Sequence, residues 1–492
     1  MPRKRNSSKK TKVHLKSRRD HRYYFLVKIK TRDLTKVPTL VFFANLFWFL
    51  SLYPGRIGAD SVALIRMIRN NDSTDWWTSL FYWFVKLSSL NGSQIWITSL
   101  TQLLFLYYSG KILIHSLPIS NRQKDIATIC FVFNPMYGVF GMTIGHDATQ
   151  TAGIFFLIAI GIRLQFSKIE LDRKILTLLF VAFLLLLTTH TGPIFVVAFV
   201  ISLFFISQRN LGRIALLGAC CLLLSVFSSI GVHKYLNVYG RDLPTKDVAY
   251  SLLIADIQCV TQIKDASLSQ ASTEILNSIA PEANWKKAST CANKDLQINE
   301  LGIQTLSLSS MRREIISVYK EVVAGYPQVV LMAHIQRSRG VLPPPFFQPP
   351  DNQVSWNIAE PIGNNTGTAL QQGPEVLHPS IDGKEFKSQN KVIKVLESLT
   401  QSFVLLINQA SWMWGWAGLW LYPVALFVLL KRRSLYKWGQ FTICFSPIAV
   451  LHLCCFFLIP YSQPRYYMAT ILLGQLLLAV LIVGKLEKKG LK

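Results

Sequence analysis

Charge is scarce in this chain: Asp, Glu, Lys and Arg make up 16% of its 492 residues, against about 25% in a typical soluble domain. With 51% hydrophobic residues and a mean hydropathy of +0.32, the shortage excludes an ordinary soluble globular protein and predicts a polytopic membrane protein. Acids are the scarcer half, 26 against 52 Lys and Arg, which leaves a net charge of +26. Such an excess could serve nucleic acid. Much of it, however, lies in the first 32 residues and in short loops between apolar runs, where the positive-inside rule places it, so no nucleic-acid partner is expected. Cysteine motifs are also missing. No Cys-x-x-Cys occurs, which removes the zinc and redox motifs, and Cys130, Cys220, Cys221, Cys444, Cys454 and Cys455 fall in apolar runs where a small polarizable side chain is ordinary packing. Cys259 and Cys291 both fall in the one large polar region, and in an oxidising compartment they could form a disulfide. There is no internal or inverted repeat of the kind that marks many transporters. No A-x-A-like site follows the first apolar run, which therefore reads as an uncleaved span behind a basic tail that touches anionic lipid.

A spanning helix needs about 20 apolar residues. By that measure ten spans are expected, at 38–53, 94–115, 126–144, 151–166, two between Ile175 and Ile206 separated by THTGP at 189–193, then 214–232, 412–430, 439–459 and 467–484. The organisation is a basic cytoplasmic tail at 1–37, a membrane module at 38–234 with a first outside loop at 54–91, an extracytoplasmic domain at 235–400, spans eight to ten within 401–484, and a tail at 485–492. Arg122 and Lys124, Lys168 with Arg173 and Lys174, Arg209 and Arg213, Lys431 to Arg433, and Lys485 with Lys488 and Lys489 then all fall on the side of the N-terminus, as the positive-inside rule asks. The expected protein is a multi-pass, all-α cell-membrane protein with both termini cytoplasmic. Its extracytoplasmic domain is mostly helical: DVAYSLLIADIQCVTQIKD, LSQASTEILNSIAPEANW and SSMRREIISVYKEVVAGYPQVVLMAHIQRSRG have helical spacing, the Pro- and Gly-rich stretch 341–391 reads as loop, and 392–407 as an amphipathic helix. In the first outside loop, SVALIRMIRN and LFYWFVKLSSL read as interfacial helices.

Ionisable groups at the outside ends of the spans form a short set: Arg56, Asp60, His146, Asp147, His190 and Arg465, with Arg337 and Arg339 in the polar domain. Charges near a bilayer are costly and face a cavity or a partner. An acid that orients or activates an acceptor, together with cations that hold a phosphate leaving group, is the minimum for group transfer from a phosphate-linked lipid. Asp60 and Asp147 are candidates for the acid, and Arg56, His146, His190 and Arg465 for the phosphate. Structural readings stand beside these: Asp60 as N-cap of SVALIRMIRN and Asp147 as part of a cap before span four, His190 as a turn residue, Arg465 as an interfacial anchor among tyrosines, Arg337 and Arg339 as surface charges. Trp412, Trp414, Trp416 and Trp420 read as an interface belt, or as a wall for a polyprenyl chain.

The layout resembles the multi-span glycosyltransferases of the GT-C superfamily, and more specifically a family of uncharacterised bacterial membrane proteins within it. The residues that carry the likeness are YPG-x4-DS at 53–61, the HD pair at 146–147, LLIADIQCV ahead of LSQASTEILNSIAP, YP at 326–327 and RYY at 465–467. The resemblance implies an acid in the first outside loop, here Asp60, as catalytic base or acceptor-orienting group, with Asp147 as a second acid. It implies a polyprenyl-phosphate or diphosphate sugar as donor and a cell-envelope glycan, lipid or protein as acceptor. A divalent metal serves some members; here the first loop has no DxD-like pair, and Asp72 and Asp75 lie too far along. His146 stands where other members carry Lys or Arg. The alternatives are a transporter or lipid flippase, and a non-catalytic envelope-assembly protein in which 235–400 binds a partner.

Overall fold

The computed structural model describes residues 36–490 apart from 57–58, 74–76, 167–171, 207–210, 236, 239–244, 265, 288–289, 304–307, 309, 343–389, 409–419, 422–442 and 460–463. Its architecture is helical. In chain order the helices are α1 (Lys36–Ser51), α2 (Ala59–Asn70), α3 (Ser79–Ser88), α4 (Ile95–Ser116), α5 (Asn121–Val132), α6 (Pro135–Met142), α7 (His146–Phe166), α8 (Arg173–Leu186), α9 (Gly192–Ile206), α10 (Leu211–Tyr235), α11 (Thr245–Thr261), α12 (Gln270–Ile279), α13 (Glu282–Trp285), α14 (Lys294–Leu301), α15 (Arg312–Gly325), α16 (Pro327–Ser338), α17 (Lys391–Asn408), α18 (Ser446–Leu458) and α19 (Met468–Gly490). Short 3-10 turns follow α16 (Arg339–Val341) and precede α19 (Pro464–Tyr467). The one sheet among the described residues is a two-residue parallel pairing of β1 (Asp72–Ser73) with β2 (Asn237–Val238).

Among the described residues four helices are long and apolar enough to cross a membrane: α4, α7, α10 and the helix that runs from Arg465 into α19. The pair α5 and α6 makes a fifth if its 53° bend is counted as one broken span. These coincide with the second, fourth, seventh, tenth and third expected spans. The third expected span, 126–144, is thus bent near its middle. Pro135 has no N–H to give and sits at the first position of α6, while the Asn134 side chain accepts from Met136 N at 2.9 Å and caps the new helix. The shorter apolar helices Val37–Ser51, Gly192–Leu203 and Ser446–Leu458 fall in the first, sixth and ninth expected spans, and the fourteen-residue α8 in the fifth. Most of the eighth, at 412–430, lies outside the described residues, with Trp412, Trp414 and Trp416; Trp420 packs on the main core.

α7 is the central post. Of its best apolar window 89% is buried, against 17% for α10, which exposes Leu216, Leu223, Val226 and Phe227 at the periphery. α4, α8 and α19 pack around it, and one continuous core runs from Trp48 of α1 through Phe155 and Phe183 to Leu473 of α19. Two smaller cores are separate. In one, Leu64, Ile65 and Ile68 of α2 meet Phe81, Tyr82 and Val85 of α3. In the other, α11 to α16 close around Ile257, Trp285, Ile315 and Val318, and this helical unit sits on the bundle through α16 against α18. α14, absent from the sequence reading, belongs to it.

Cys259 of α11 and Cys291 are bonded, with Cα atoms 5.8 Å apart and a sequence separation of 32. Closing a loop of that length stabilises a fold by about 2–4 kcal/mol. Cys291→Ala is therefore expected to lower the unfolding free energy of the helical unit by that much, with its denaturation midpoint falling accordingly, and reduction of the native protein to do the same; equal midpoints with and without reductant would show that the bond contributes nothing.

Candidate functional site

The chain leaves α1 through a cis Tyr53–Pro54 peptide and Gly55, whose φ of +132° suits glycine and whose missing Cβ would fall 1.9 Å from Ser99 Oγ of α4. That close passage lets the backbone reach the end of α6. Arg56 N donates to Met142 O at 2.8 Å, Ile144 N donates back to Arg56 O at 2.9 Å, and an isolated parallel bridge joins Arg56 to Thr143. At the third position of α2, Ser61 Oγ donates to Ile144 O at 2.5 Å. The start of α2, which carries Asp60, is thus stitched to the turn that carries His146 and Asp147. Asp60 takes the second position of α2, inside the first turn rather than at the cap, and its side chain lies outside the described residues.

His146 and Asp147 open α7. Asp147, too, lies past the cap position, in the first turn where a carboxylate complements the helix dipole. Its Oδ1 is 3.8 Å from His146 Nε2, and its side chain is 14% exposed against 39% for the histidine. The turn before them is held from below, where Gln102 Nε2 donates to Gly145 O at 2.5 Å, and from the side, where the Phe81 ring meets the His146 ring edge-on at 5.8 Å. Among the described residues a Cβ on Gly145 would meet Asp147 Oδ2, at 3.9 Å, as its one heavy-atom neighbour within 4 Å.

The 188–191 turn between α8 and α9 joins the same place. Thr188 accepts through its carbonyl from Thr78 Oγ1 at 2.8 Å, its hydroxyl bonds that of Thr149 at 2.7 Å, and Gln150 Nε2 donates to Thr191 Oγ1 at 3.0 Å. His190 is exposed on this turn. The fourth loop is Pro464–Tyr467: the Cys455 thiol of α18 donates to Tyr466 O at 3.6 Å and lies within electrostatic range of Asp147. Arg465 Nη2 donates to Tyr466 Oη at 2.9 Å and its guanidinium covers that ring at 4.9 Å. The structure thus brings the Arg56, Asp60, His146–Asp147, His190 and Arg465 segments to one end of the bundle. Among the described residues no three His, Cys, Asp or Glu side chains gather as a metal site.

Arg337 and Arg339 are not surface charges. They are 1% and 4% exposed, because α16 turns its inner face to α11 and the Arg339–Val341 turn folds under it against α18 and the Pro464–Tyr467 turn. Arg337 Nη2 pairs with Asp256 Oδ1, Tyr319 Oη donates to Asp256 Oδ2 at 3.2 Å, and His334 Nε2 lies 3.2 Å from the same oxygen. Sequence reasoning missed Asp256, Tyr319 and His334. The available signal was an acid inside the apolar LLIADIQCV, and His334 and Arg337 three residues apart on one helix face.

Burial first, then the Asp256 charge and hydrogen bond, push the Tyr319 hydroxyl well above its ordinary 10. Burial and then Asp72 push Tyr82 up to about 12. Both folded-state values are raised, so their contribution is complete below pH 10 and is lost as pH rises beyond it. Alkaline unfolding is expected to set in above pH 10, and Tyr319→Phe to flatten it for the helical unit; an unchanged alkaline limb would remove Tyr319 from the account. Comparison of the chain with family models, with characterised proteins and with solved structures finds no match.

Proposed function

We propose that the protein is a membrane glycosyltransferase that moves a sugar from a polyprenyl-phosphate or diphosphate donor to a cell-envelope acceptor on the outer face of the cytoplasmic membrane. In this reading the chain crosses the bilayer ten times, both termini are cytoplasmic, and 235–400 is extracytoplasmic, where the Cys259–Cys291 bond suits an oxidising compartment. The observation that carries the proposal is the stitching of the Asp60 helix start onto the His146–Asp147 turn, at the bundle end that also holds the Arg465 turn.

Chemically, Asp60 or Asp147 orients and deprotonates an acceptor hydroxyl. The new bond forms to the anomeric carbon as the bond from that carbon to the phosphate oxygen breaks. The departing phosphate takes both electrons and is neutralised by Arg465, assisted by Arg56, His146 and His190. The test is a titration of purified protein in detergent with a polyprenyl-phosphate sugar. Saturable binding is expected, weakened in Arg465→Ala by about 1.5–3 kcal/mol, roughly 10- to 150-fold. No binding of any lipid-phosphate sugar would overturn the donor assignment.

A second reading, a lipid flippase or transporter, draws on one observation. At the α5–α6 break Asn134 Nδ2 donates to Gln475 Oε1, and Tyr137 Oη donates to Asn45 Oδ1 at 2.5 Å, so polar pairs lie inside the bundle beside a broken helix. Lipid scrambling by reconstituted protein without sugar transfer would favour it.

A further inference from the structure

The end of the bundle away from the candidate site holds a second group of charges, which the proposed chemistry does not use. α7 begins at His146 and carries Arg163 in its last turn, about 25 Å farther along the axis. Arg163 Nε donates to Ser116 Oγ at 2.8 Å, which fixes the guanidinium against the last residue of α4. Lys111 and His115 precede that residue on α4, and Lys124 lies in the first turns of α5. His115 is within electrostatic range of Lys111, Lys124 and Arg163. Lys124 and Arg163 are half-buried, whereas Lys111 and His115 are exposed.

Two acids come near. Asp125 is exposed and lies within electrostatic range of His115. Asp172 lies within range of Arg163, but its carboxylate accepts from Ile175 N at 2.8 Å as the cap of α8. Among the described residues Lys111, Lys124 and Arg163 form no ion pair; Lys111 rests on the Tyr107 ring at 5.6 Å. Lysines scattered by the positive-inside rule need no partner. Three cations drawn to one helix end, two of them half-buried, repel one another unless an anion joins them.

The face on which these cations open fixes the kind of anion. Leu104, Tyr108, Lys111 and His115 are spaced by four, three and four residues, a single stripe of α4. All four are exposed, Leu104 at 39% and Tyr108 at 52%. α4 is long and apolar enough to cross a membrane, with 50% of its apolar window buried, and this stripe belongs to the part turned away from the bundle. α5 lies alongside, so close that a Cβ on Gly110 of α4 would fall 2.3 Å from the Phe131 ring. We infer that this end of α4 and α5 binds an anionic phospholipid, with acyl chains along Leu104 and Tyr108 and its phosphate held by Lys111, Lys124 and Arg163. A dissolved phosphate would engage the cations and leave the apolar stripe without a role; a phospholipid engages both. None of these residues takes part in the proposed transfer reaction, so the inference stands or falls without it.

The test is photocrosslinking of the full-length protein in nanodiscs that hold phosphatidylglycerol and phosphatidylcholine in equal amounts. A benzophenone side chain replaces Tyr108 or, as a reference, Leu223, which is 55% exposed in the middle of α10. Adducts at position 108 are expected to favour the anionic lipid about tenfold over those at 223. Lys111→Gln with Lys124→Gln is expected to bring the two positions level, and Lys111→Arg with Lys124→Arg to keep the preference. Equal lipid ratios at 108 and 223 with both lysines in place would overturn the inference, and that comparison needs no charge variant to fold. A preference at 108 that survives the glutamine pair would overturn it too, because other cations would then hold the lipid. Abolition of the preference by inorganic phosphate, at an ionic strength matched with chloride, would assign the cations to a dissolved anion instead.

Discussion

Asp60→Asn is expected to reduce sugar transfer by about 10²–10⁴-fold, the usual loss when a general base is removed, with the protein present in the membrane at wild-type abundance. The two halves of that expectation have different causes. Asn has the volume of Asp, and among the described residues this helix start is placed by main-chain bonds between Arg56, Met142 and Ile144 together with the Ser61 hydroxyl. Loss of a negative charge from the first turn of α2 weakens its interaction with the helix dipole by about 0.3–1 kcal/mol, too little to unfold the α2–α3 core of Leu64, Ile65, Phe81 and Val85. In the proposed reaction, by contrast, transfer depends on the proton acceptor itself. Asp147→Asn in parallel assigns the roles: the acid that abstracts the proton shows the larger loss, and the other a loss confined to donor or acceptor affinity. Transfer at the wild-type rate by Asp60→Asn would refute its role, and wild-type transfer by both variants would leave the proposed mechanism without a base.

The parts of this arrangement that the sequence made legible are those whose signal is local. Hydropathy alone located α4, α7, α10 and α19, because a run of about 20 apolar residues has one economical conformation where backbone groups must bond internally. The segments that carry the candidate ionisable residues were legible as a set because each sits where an apolar run ends. Their assembly was not. Ser61 and Ile144 are 83 residues apart, and nothing in either neighbourhood names the other. The Asp256 cluster failed for a further reason. Arg337 and Arg339 in HIQRSRG read as solvated charges because a basic segment without its partner always does; the partner lies 81 residues upstream, and the decision between surface and core belongs to the pairing. The bend at Asn134–Pro135 was locally encoded, by a cap and a missing N–H, and was overridden by a hydropathy window that averages across it.

That pairing gives the second large effect. Arg337→Met leaves the Asp256 carboxylate, with 0% exposure, facing Tyr319 and His334 alone among the described residues. Removal of one partner from a buried ion pair costs about 3–5 kcal/mol, since the remaining charge stays desolvated. The α11–α16 unit is expected to lose its cooperative unfolding transition, or to show it displaced by that amount in denaturant, while the main bundle core around α7 remains. Asp256→Leu alone should cost a similar amount through the stranded guanidinium. The double variant, Asp256→Leu with Arg337→Met, replaces the pair by apolar groups of comparable length and is expected to recover most of the loss, because two desolvation penalties vanish with the attraction that offset them. If the two single losses simply add in the double variant, the residues act independently and Asp256 is not held by Arg337.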